Sequence, residues 1–375
     1  MIAVSTIFEC FKKFEVNFFT GVPDSLLKYF CAYLSDNLRD KEHIIAANEG
    51  AAVALATGYH LATGKIPLVY LQNSGLGNAI NPLISLADKE VYGIPLILMI
   101  GWRGEPGVKD EPQHIKQGRV QNALLDAMEI PYRILDATVS DIESFIESIV
   151  NLVKAKGAPV AIVVRSNTFD SYKRIKKEES NYEMMREEAI ATILDCLNGN
   201  EIIVSTTGYT SRELFELRVA RGQGNRNDFL TVGSMGHTSQ IALGIAINSA
   251  RKVLCLDGDG SLIMHMGSLA VTGNSKVENL IHVVLNNGAH DSVGGQPTVG
   301  FQINLKEIAH ACGFAHTFSL SEKSELATTF KSILSLKGPV FLEIRTKKGA
   351  RADLGRPTKS PGENKSNLMN TLGIR

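Results

Sequence analysis

Twice along this chain, short uninterrupted apolar runs alternate with longer stretches of helical periodicity. The first series is NFFTGV (17–22), HIIAAN (43–48), IPLVYLQ (66–72), PLILMIG (95–101), YRIL (132–135) and PVAIVVR (159–165). The second is EIIVST (201–206), DFLTVG (228–233), KVLCLDGDG (252–260), LIHVVLNN (280–287) and PVFLEIR (339–345). A strand that is apolar on both faces must lie in a sheet covered on both sides, and helical connections between successive strands make that sheet parallel. The predicted fold class is therefore α/β, with two doubly wound parallel-sheet domains over 1–170 and 184–375. Between them SYKRIKKEESNYEMMREE (171–188) holds no strand-like run. It reads as a linker, 171–183, that leads into a helix. The polar, Pro/Gly-rich segment 347–375 is either a disordered tail or a segment that orders over a site.

Composition removes several function classes. Lys+Arg and Asp+Glu are 39 each, so no global basic field favours nucleic acid. No uncharged apolar window of about 18 residues exists, which predicts no membrane span. The N-terminus mixes Glu and Lys into its apolar positions and lacks a small-residue cleavage site, unlike a secretory signal. Five scattered cysteines (Cys10, Cys31, Cys196, Cys255, Cys312) without CxxC spacing read as reduced thiols of an intracellular, cytoplasmic protein.

In open α/β sheets ligands sit outside the carboxyl ends of the strands. At such an end, in VLCLDGDGSLIMHMGSLA (253–270), an apolar run stops at two acids and two glycines. Gly258 and Gly260 allow a tight turn and close approach of a ligand. Ser261 can start the next helix, whose first amides favour phosphate. Asp259 can offer a carboxylate to a hard cation such as Mg²⁺, which keeps phosphates in its shell. The next run ends in NNGAHDS, where Asn286 or Asn287 can add an oxygen ligand. Between Gly260 and Asn286 lie 25 residues, room for one helix and one strand. At the end of HIIAAN, Glu49 precedes a small-residue helix, where the helix dipole alone can account for it. No GxxxxGK[ST] run or EF-hand spacing supports a nucleotide or Ca²⁺ loop.

GDG followed by NN resembles the diphosphate-binding signature of thiamine-diphosphate enzymes, and NEGAAVALATG, TVGSMGH and STTGYTSREL resemble other cofactor segments of that family. The resemblance covers nearly the whole chain. It implies a pyrimidine-binding domain first and a diphosphate-binding domain second, without the middle domain of the larger decarboxylases. It implies thiamine diphosphate and Mg²⁺, with the metal on Asp259, Asn287 and the carbonyl of Ala289, Asn286 being the other candidate. The diphosphate would meet Thr207, Gly208, Tyr209, Gly258, Gly260 and Ser261. The carbonyl of Gly233 would accept from the aminopyrimidine, and Met235, otherwise a core residue, would support the bent cofactor. Glu49 would hydrogen-bond the pyrimidine ring, its carboxyl raised by burial to suit proton exchange near neutrality. Cofactor sites of the family form between subunits, so at least a dimer is implied.

Finer motifs, FFTGVPDSLLK, QNSGLGNAINPLISLAD, GWRGEPGVKDEPQH, NNGAHDSVGGQPT and DLGRPTKSPGENK, resemble the branch that decarboxylates 3-phosphonopyruvate to phosphonoacetaldehyde, towards phosphonates such as 2-aminoethylphosphonate. The sulfopyruvate branch shares several of these motifs but is commonly split between two subunits, so a single chain favours the phosphonate. Another 2-oxo acid is a further alternative. A non-catalytic cofactor-binding subunit would not require Glu49. For substrate contact the resemblance implies Ser25 or Asp24, either of which can instead cap a helix beginning at Leu26. His114, alternatively a surface-loop residue, and His290 can relay a proton near pH 7. His237 reads as packing or cofactor shell. Cations for the phosphonate are Arg103 and Lys109 in one loop, and Arg351, Arg356 and Lys359 in a tail that would close over the site.

Overall fold

The computed structural model describes residues 1–176 and 181–374. They form two units, Met1–Glu178 and Glu179–Arg375. In the first, β1 (Phe19–Gly21), β2 (His43–Ile45), β3 (Leu68–Gln72), β4 (Ile97–Gly101), β5 (Tyr132–Leu135) and β6 (Val160–Val164) make one parallel sheet in the order β2-β1-β3-β4-β6-β5. The doubly apolar runs feed two cores in alternation. Leu68, Tyr70, Ile97, Met99, Val160 and Ile162 pack on one face, against the helices Val4–Lys13, Lys28–Asn37 and Ile142–Lys156. Val69, Leu71, Leu98, Ile100, Ala161 and Val163 pack on the other, against Glu49–Thr63, Leu76–Pro82 and Pro112–Ala127. Each such buried side chain contributes roughly 1.5–3 kcal/mol relative to exposure.

The second unit repeats the plan. β7 (Ile202–Ser205), β8 (Asp228–Leu230), β9 (Val253–Gly258) and β10 (Leu280–Asn286) precede a two-residue antiparallel pair, β11 (Ala289–His290) and β12 (Gln296–Pro297). After β13 (His316–Leu320) and β14 (Val340–Arg345), the parallel sheet reads β13-β14-β10-β9-β7-β8. β13 answers to no apolar run in the sequence. It is an edge strand with a half-exposed pattern, so its residues HTFSL carry no two-sided signal. Strand order reverses between β1 and β3 and between β7 and β9. Such switch points open a crevice at the carboxyl ends of the strands.

Two segments differ from expectation. The span between Gly260 and β10 holds two short helices, Asp259–Met264 and Ser268–Asn274, rather than one. The polar C-terminal segment ends in a helix, Pro361–Thr371, opened by a capping box of Ser360 and Glu363. That helix packs on its own unit's sheet edge. Asn364 donates to Asp228 O (2.9 Å) and accepts from Leu230 N (3.1 Å), and Leu368 enters the core. The open edge of β8 is thereby covered, a common device for blunting an edge strand. Of the expected linker, residues 171–176 are fastened to the first unit, where Ile175 N and Lys176 N donate to the Asp36 carboxylate. Residues 177–180 lie outside the described residues. Among the described residues no helix is long and apolar enough to cross a membrane, and the five cysteines are free thiols.

Candidate functional site

In the second unit the polar groups gather where β7, β8, β9 and β10 end. The helix after β9 begins at Asp259, not at Ser261. The two acids of the motif part company. Asp257 stays with the sheet, its Oδ1 accepting from Gly258 N (3.0 Å) and its Oδ2 facing His282 Nε2 (3.3 Å). Asp259 turns to the loop after β10, where it accepts from Asn287 N (3.4 Å) and from the Thr298 hydroxyl. It is 2% exposed. Burial pushes its carboxyl up to about 6, with no cationic side chain among the groups acting on it. A buried carboxylate without a counter-charge is costly.

The two asparagines also diverge. Asn286 is bound within the sheet, donating to Gly300 O (2.8 Å) and Glu343 Oε1 (2.7 Å). Asn287 stays beside Asp259, its Oδ1 accepting from Ala289 N (3.0 Å). Asn287 and Ala289 stand two residues apart in the loop that the Asp259 carboxylate contacts. Together the three could offer an all-oxygen donor set, the kind Mg²⁺ takes. The uncompensated carboxylate fits such a cation.

Ser261 ties three strand ends together. Its Oγ accepts from Thr206 Oγ1 (3.0 Å) and Gly236 N (3.1 Å). Thr207 donates to Val232 O (2.8 Å), which holds Gly233 at the same edge. Gly208, at φ 90°, precedes the twelve-residue helix Tyr209–Ala220, and a Cβ there would lie 3.2 Å from Ser292 Oγ. The first amides of that helix have no partner within it and suit an anion. Met235 and His290 converge on Gly260, whose Cβ would stand 3.4 Å from Met235 Cε and 3.0 Å from His290 Cε1. Met235 is therefore a loop residue against the GDG turn, not part of the core. His237 is exposed, its ring 4.5 Å from that of His265.

In the first unit Glu49 is the first residue of the helix Glu49–Thr63, capped by Asn48, whose side chain accepts from Ala51 N (2.9 Å). Burial raises the Glu49 carboxyl, which is 5% exposed and accepts from Asn78 Nδ2 (2.8 Å). Gly75 leaves it room, since a Cβ there would lie 2.3 Å from Glu49 Oε1. Beyond β1, Asp24 is fully buried and accepts from Gln72 Nε2 (2.6 Å) and Leu26 N (3.0 Å). It caps the turn, yet the helix proper starts at Lys28 rather than Leu26. Burial raises this carboxyl too. Ser25 is no cap, because its Oγ accepts from Arg103 Nη1 (2.6 Å). Arg103 is further held by Asp110, which takes Nε (2.8 Å) and Nη2 (2.5 Å).

The remaining candidates differ in burial and in partners. Desolvation pushes the rings of His114 and His290 down to about 4, which favours the neutral imidazole in both. Arg351 is committed to Glu187 (3.0 Å), Glu216 and Asp353 (3.1 Å), because the segment folds back on its own unit. Arg356, Lys359 and Lys109 are exposed. Asn78, Asp110, Thr298, Asp291 and Arg186 belong to these networks and were not singled out from sequence. The first four fall in the quoted motifs, which was the available signal. Arg186 gave none.

The histidines carry a pH prediction. His43, whose Nε2 lies 2.8 Å from Tyr70 Oη, is pushed to about 4 as well. Unfolded rings near 6.5 take up protons before the folded ones do. Their contribution to stability is present above pH 6.5 and is lost as pH falls towards 4. The raised carboxyls of Asp24, Glu49 and Asp259 act in the opposite sense over the same range, so the histidine share is read by difference. Between pH 7 and 4 the wild type should lose more melting temperature, or gain less, than His43→Gln. An unchanged slope would remove His43 from this account.

Comparison with known proteins accords with this geometry. Residues 1–130 match the N-terminal TPP binding domain of thiamine pyrophosphate enzymes, and residues 207–344 match their C-terminal TPP binding domain. The chain belongs to the thiamine-diphosphate-dependent decarboxylases, which are carboxy-lyases. It is 32% identical over 336 residues to the phosphonopyruvate decarboxylase of Streptomyces viridochromogenes, covering 86% of this chain and 83% of that one. It is 31% identical to the phosphonopyruvate decarboxylase of Streptomyces hygroscopicus, covering 97% and 92%. A sulfopyruvate decarboxylase of Methanosarcina acetivorans is 28% identical, covering 98% and 97%. That relative is matched along nearly its full length by one chain, so single-chain organisation does not separate the two substrates.

Proposed function

We propose that this protein decarboxylates 3-phosphonopyruvate to phosphonoacetaldehyde and CO₂ with thiamine diphosphate and Mg²⁺, in phosphonate biosynthesis. The observation that carries the cofactor reading is the buried, uncompensated Asp259 beside Asn287 and the Ala289 carbonyl. The substrate reading rests on the two relatives named phosphonopyruvate decarboxylase, 32% and 31% identical against 28% for the single-chain sulfopyruvate enzyme, and on a guanidinium at a strand end. Separate subunits of sulfopyruvate decarboxylases match parts of the chain at up to 38%, so the substrate is what the test below decides.

When bound, thiamine diphosphate supplies a carbon nucleophile and an electron sink for the pair released with CO₂. Asp259, Asn287 and the Ala289 carbonyl hold Mg²⁺. Amides at Gly208 and Tyr209 and around Gly258, Gly260 and Ser261 hold the diphosphate. The Gly233 carbonyl and Met235 orient the rings, and Glu49 serves the pyrimidine. Arg103, Arg351 and the exposed Arg356 are the guanidinium candidates for the phosphonate. Arg103 and Arg351 would each have to exchange a carboxylate partner, Asp110 or Glu187, to bind it. Ser25 lies at the tip of Arg103. Asp24, whose burial favours proton retention, joins His114 and His290 as a candidate for the group that gives the product its proton. When neutral, the two rings are N–H donors or acceptors. Self-association to at least a dimer belongs to the same reading.

The test is aldehyde release from 3-phosphonopyruvate, sulfopyruvate and pyruvate in parallel, with thiamine diphosphate and Mg²⁺ added or withheld. Cofactor-dependent turnover of the phosphonate at a kcat/KM at least about tenfold above the others, about 1.4 kcal/mol of discrimination, is the expected result. A preference for sulfopyruvate would overturn the substrate and leave the cofactor roles in place. Absence of turnover with cofactor bound would favour the non-catalytic subunit.

A further inference from the structure

One carboxylate beside the metal loop is neither a proposed ligand nor a surface charge. Asp291 Oδ2 accepts from Asn287 Nδ2 (2.8 Å), from Gly349 N (2.8 Å) and from Arg186 Nη1 (3.3 Å). Arg186 is itself 5% exposed and clamped by Glu213 through Nε (2.8 Å) and Nη2 (2.9 Å). Its guanidinium lies 5.4 Å from the ring of Tyr209, the first residue of the helix after Gly208.

An asparagine amide has two ends of opposite use to a cation. Oδ1 can ligate and Nδ2 cannot. An ionised carboxylate only accepts, so the end of Asn287 that faces Asp291 must be Nδ2, and Oδ1 is left for the side of Ala289 and Asp259. A neutral partner with both a donor and an acceptor would not enforce that choice. Asp291 in turn cannot swing away, because a buried arginine and a backbone amide hold the same oxygen.

We propose that Asp291 is a positioning residue that fixes the Asn287 amide with Oδ1 towards the metal loop, braced by Arg186 and Glu213. The proposal rests on the reading of Asn287 as a Mg²⁺ ligand. Partners that orient metal ligands from behind typically cost 10–100-fold in metal affinity when lost.

Mn²⁺ is the probe, titrated into full-length protein with thiamine diphosphate present and read by the electron paramagnetic resonance signal of free Mn²⁺. Asp291→Asn should bind Mn²⁺ about 10–100-fold more weakly. Excess metal should restore its kcat with the KM for the 2-oxo acid unchanged, which damage to the fold would not allow. Arg186→Lys, which keeps a cation beside Glu213 but not the fork, should show a smaller loss in the same direction. It stands in for Asp291→Asn if that variant does not fold. Asn287→Ala separates the two layers of the argument. If Asn287→Ala loses Mn²⁺ affinity while Asp291→Asn and Arg186→Lys stay within about twofold of wild type, the positioning role is wrong and the ligand stands. If Asn287→Ala binds Mn²⁺ as the wild type does, the ligand assignment itself falls and the positioning role with it.

Discussion

Replacing Glu49 by Gln is expected to lower kcat by about 10²–10⁴-fold, the usual worth of a positioned general acid–base group, while thiamine diphosphate binding stays close to wild type. The side chain is buried at the first turn of its helix, and its carboxyl is raised by that burial and steadied by Asn78 Nδ2 at 2.8 Å. Glutamine has the same length and shape and can still accept from Asn78. It cannot exchange a proton. The loss should therefore appear in the rate at which the cofactor's reactive carbon exchanges hydrogen for deuterium, followed by quenched-flow NMR without substrate. Gly75→Ala gives an independent check. Its Cβ would stand 2.3 Å from Glu49 Oε1, and Gly75 has an ordinary helical backbone (φ −76°), so the substitution displaces the carboxyl without straining its own backbone. It should slow the same exchange. Exchange at the wild-type rate in Glu49→Gln would remove the carboxyl from proton transfer.

How much of this was legible in the sequence depends on how local each signal is. The strands that carry the site were readable because their apolar runs serve two cores at once, as Val69 and Tyr70 do on opposite faces of β3. β13 was not, since an edge strand with half-exposed HTFSL has no such obligation. Glu49, Asp259 and Asn287 could be singled out through their motifs rather than one by one. The helix dipole alone accounts for a Glu at the start of a helix, and a lone GDG or NN can be just a strand-end turn. The contact from Arg186 to Asp291 was not, because 105 residues separate them and neither residue type is unusual where it stands. The terminal helix was partly readable: Ser360-Pro-Gly-Glu363 is a capping-box pattern, outweighed by the polar composition around it. The low basicity of the histidine rings was not readable for a different reason. A ring's pKa follows its desolvation, and burial of a loop such as the one holding His114 is a tertiary fact.

Asp259→Asn is expected to separate stability from function with opposite signs. The native carboxylate is buried with no cation beside it and has its pKa pushed up to about 6 from an ordinary 3.8. Holding it ionised at pH 7 therefore strains the cofactor-free protein by an amount on the order of 1–3 kcal/mol. Asparagine removes the charge and can still accept from the Thr298 hydroxyl. Its amide nitrogen would face Asn287 N, now 3.4 Å from Oδ1, which takes back part of the gain. The cofactor-free variant should thus unfold a few degrees higher than the wild type, a mutation of about 1 kcal/mol moving Tm by roughly 2–4 °C in domains of this size. Mg²⁺ with thiamine diphosphate should reverse the order, because the wild type gains RT ln(1 + [L]/Kd) on binding and the variant has lost its only ionised ligand. Calorimetric titration should show the cofactor–metal complex weakened by more than the 100-fold that bounds an outer-shell change. A variant that binds as tightly as the wild type would move the metal elsewhere. One that is less stable than the wild type without ligands would show that Asp259 is held by the fold for structural reasons, with the charge compensated by its hydrogen bonds alone.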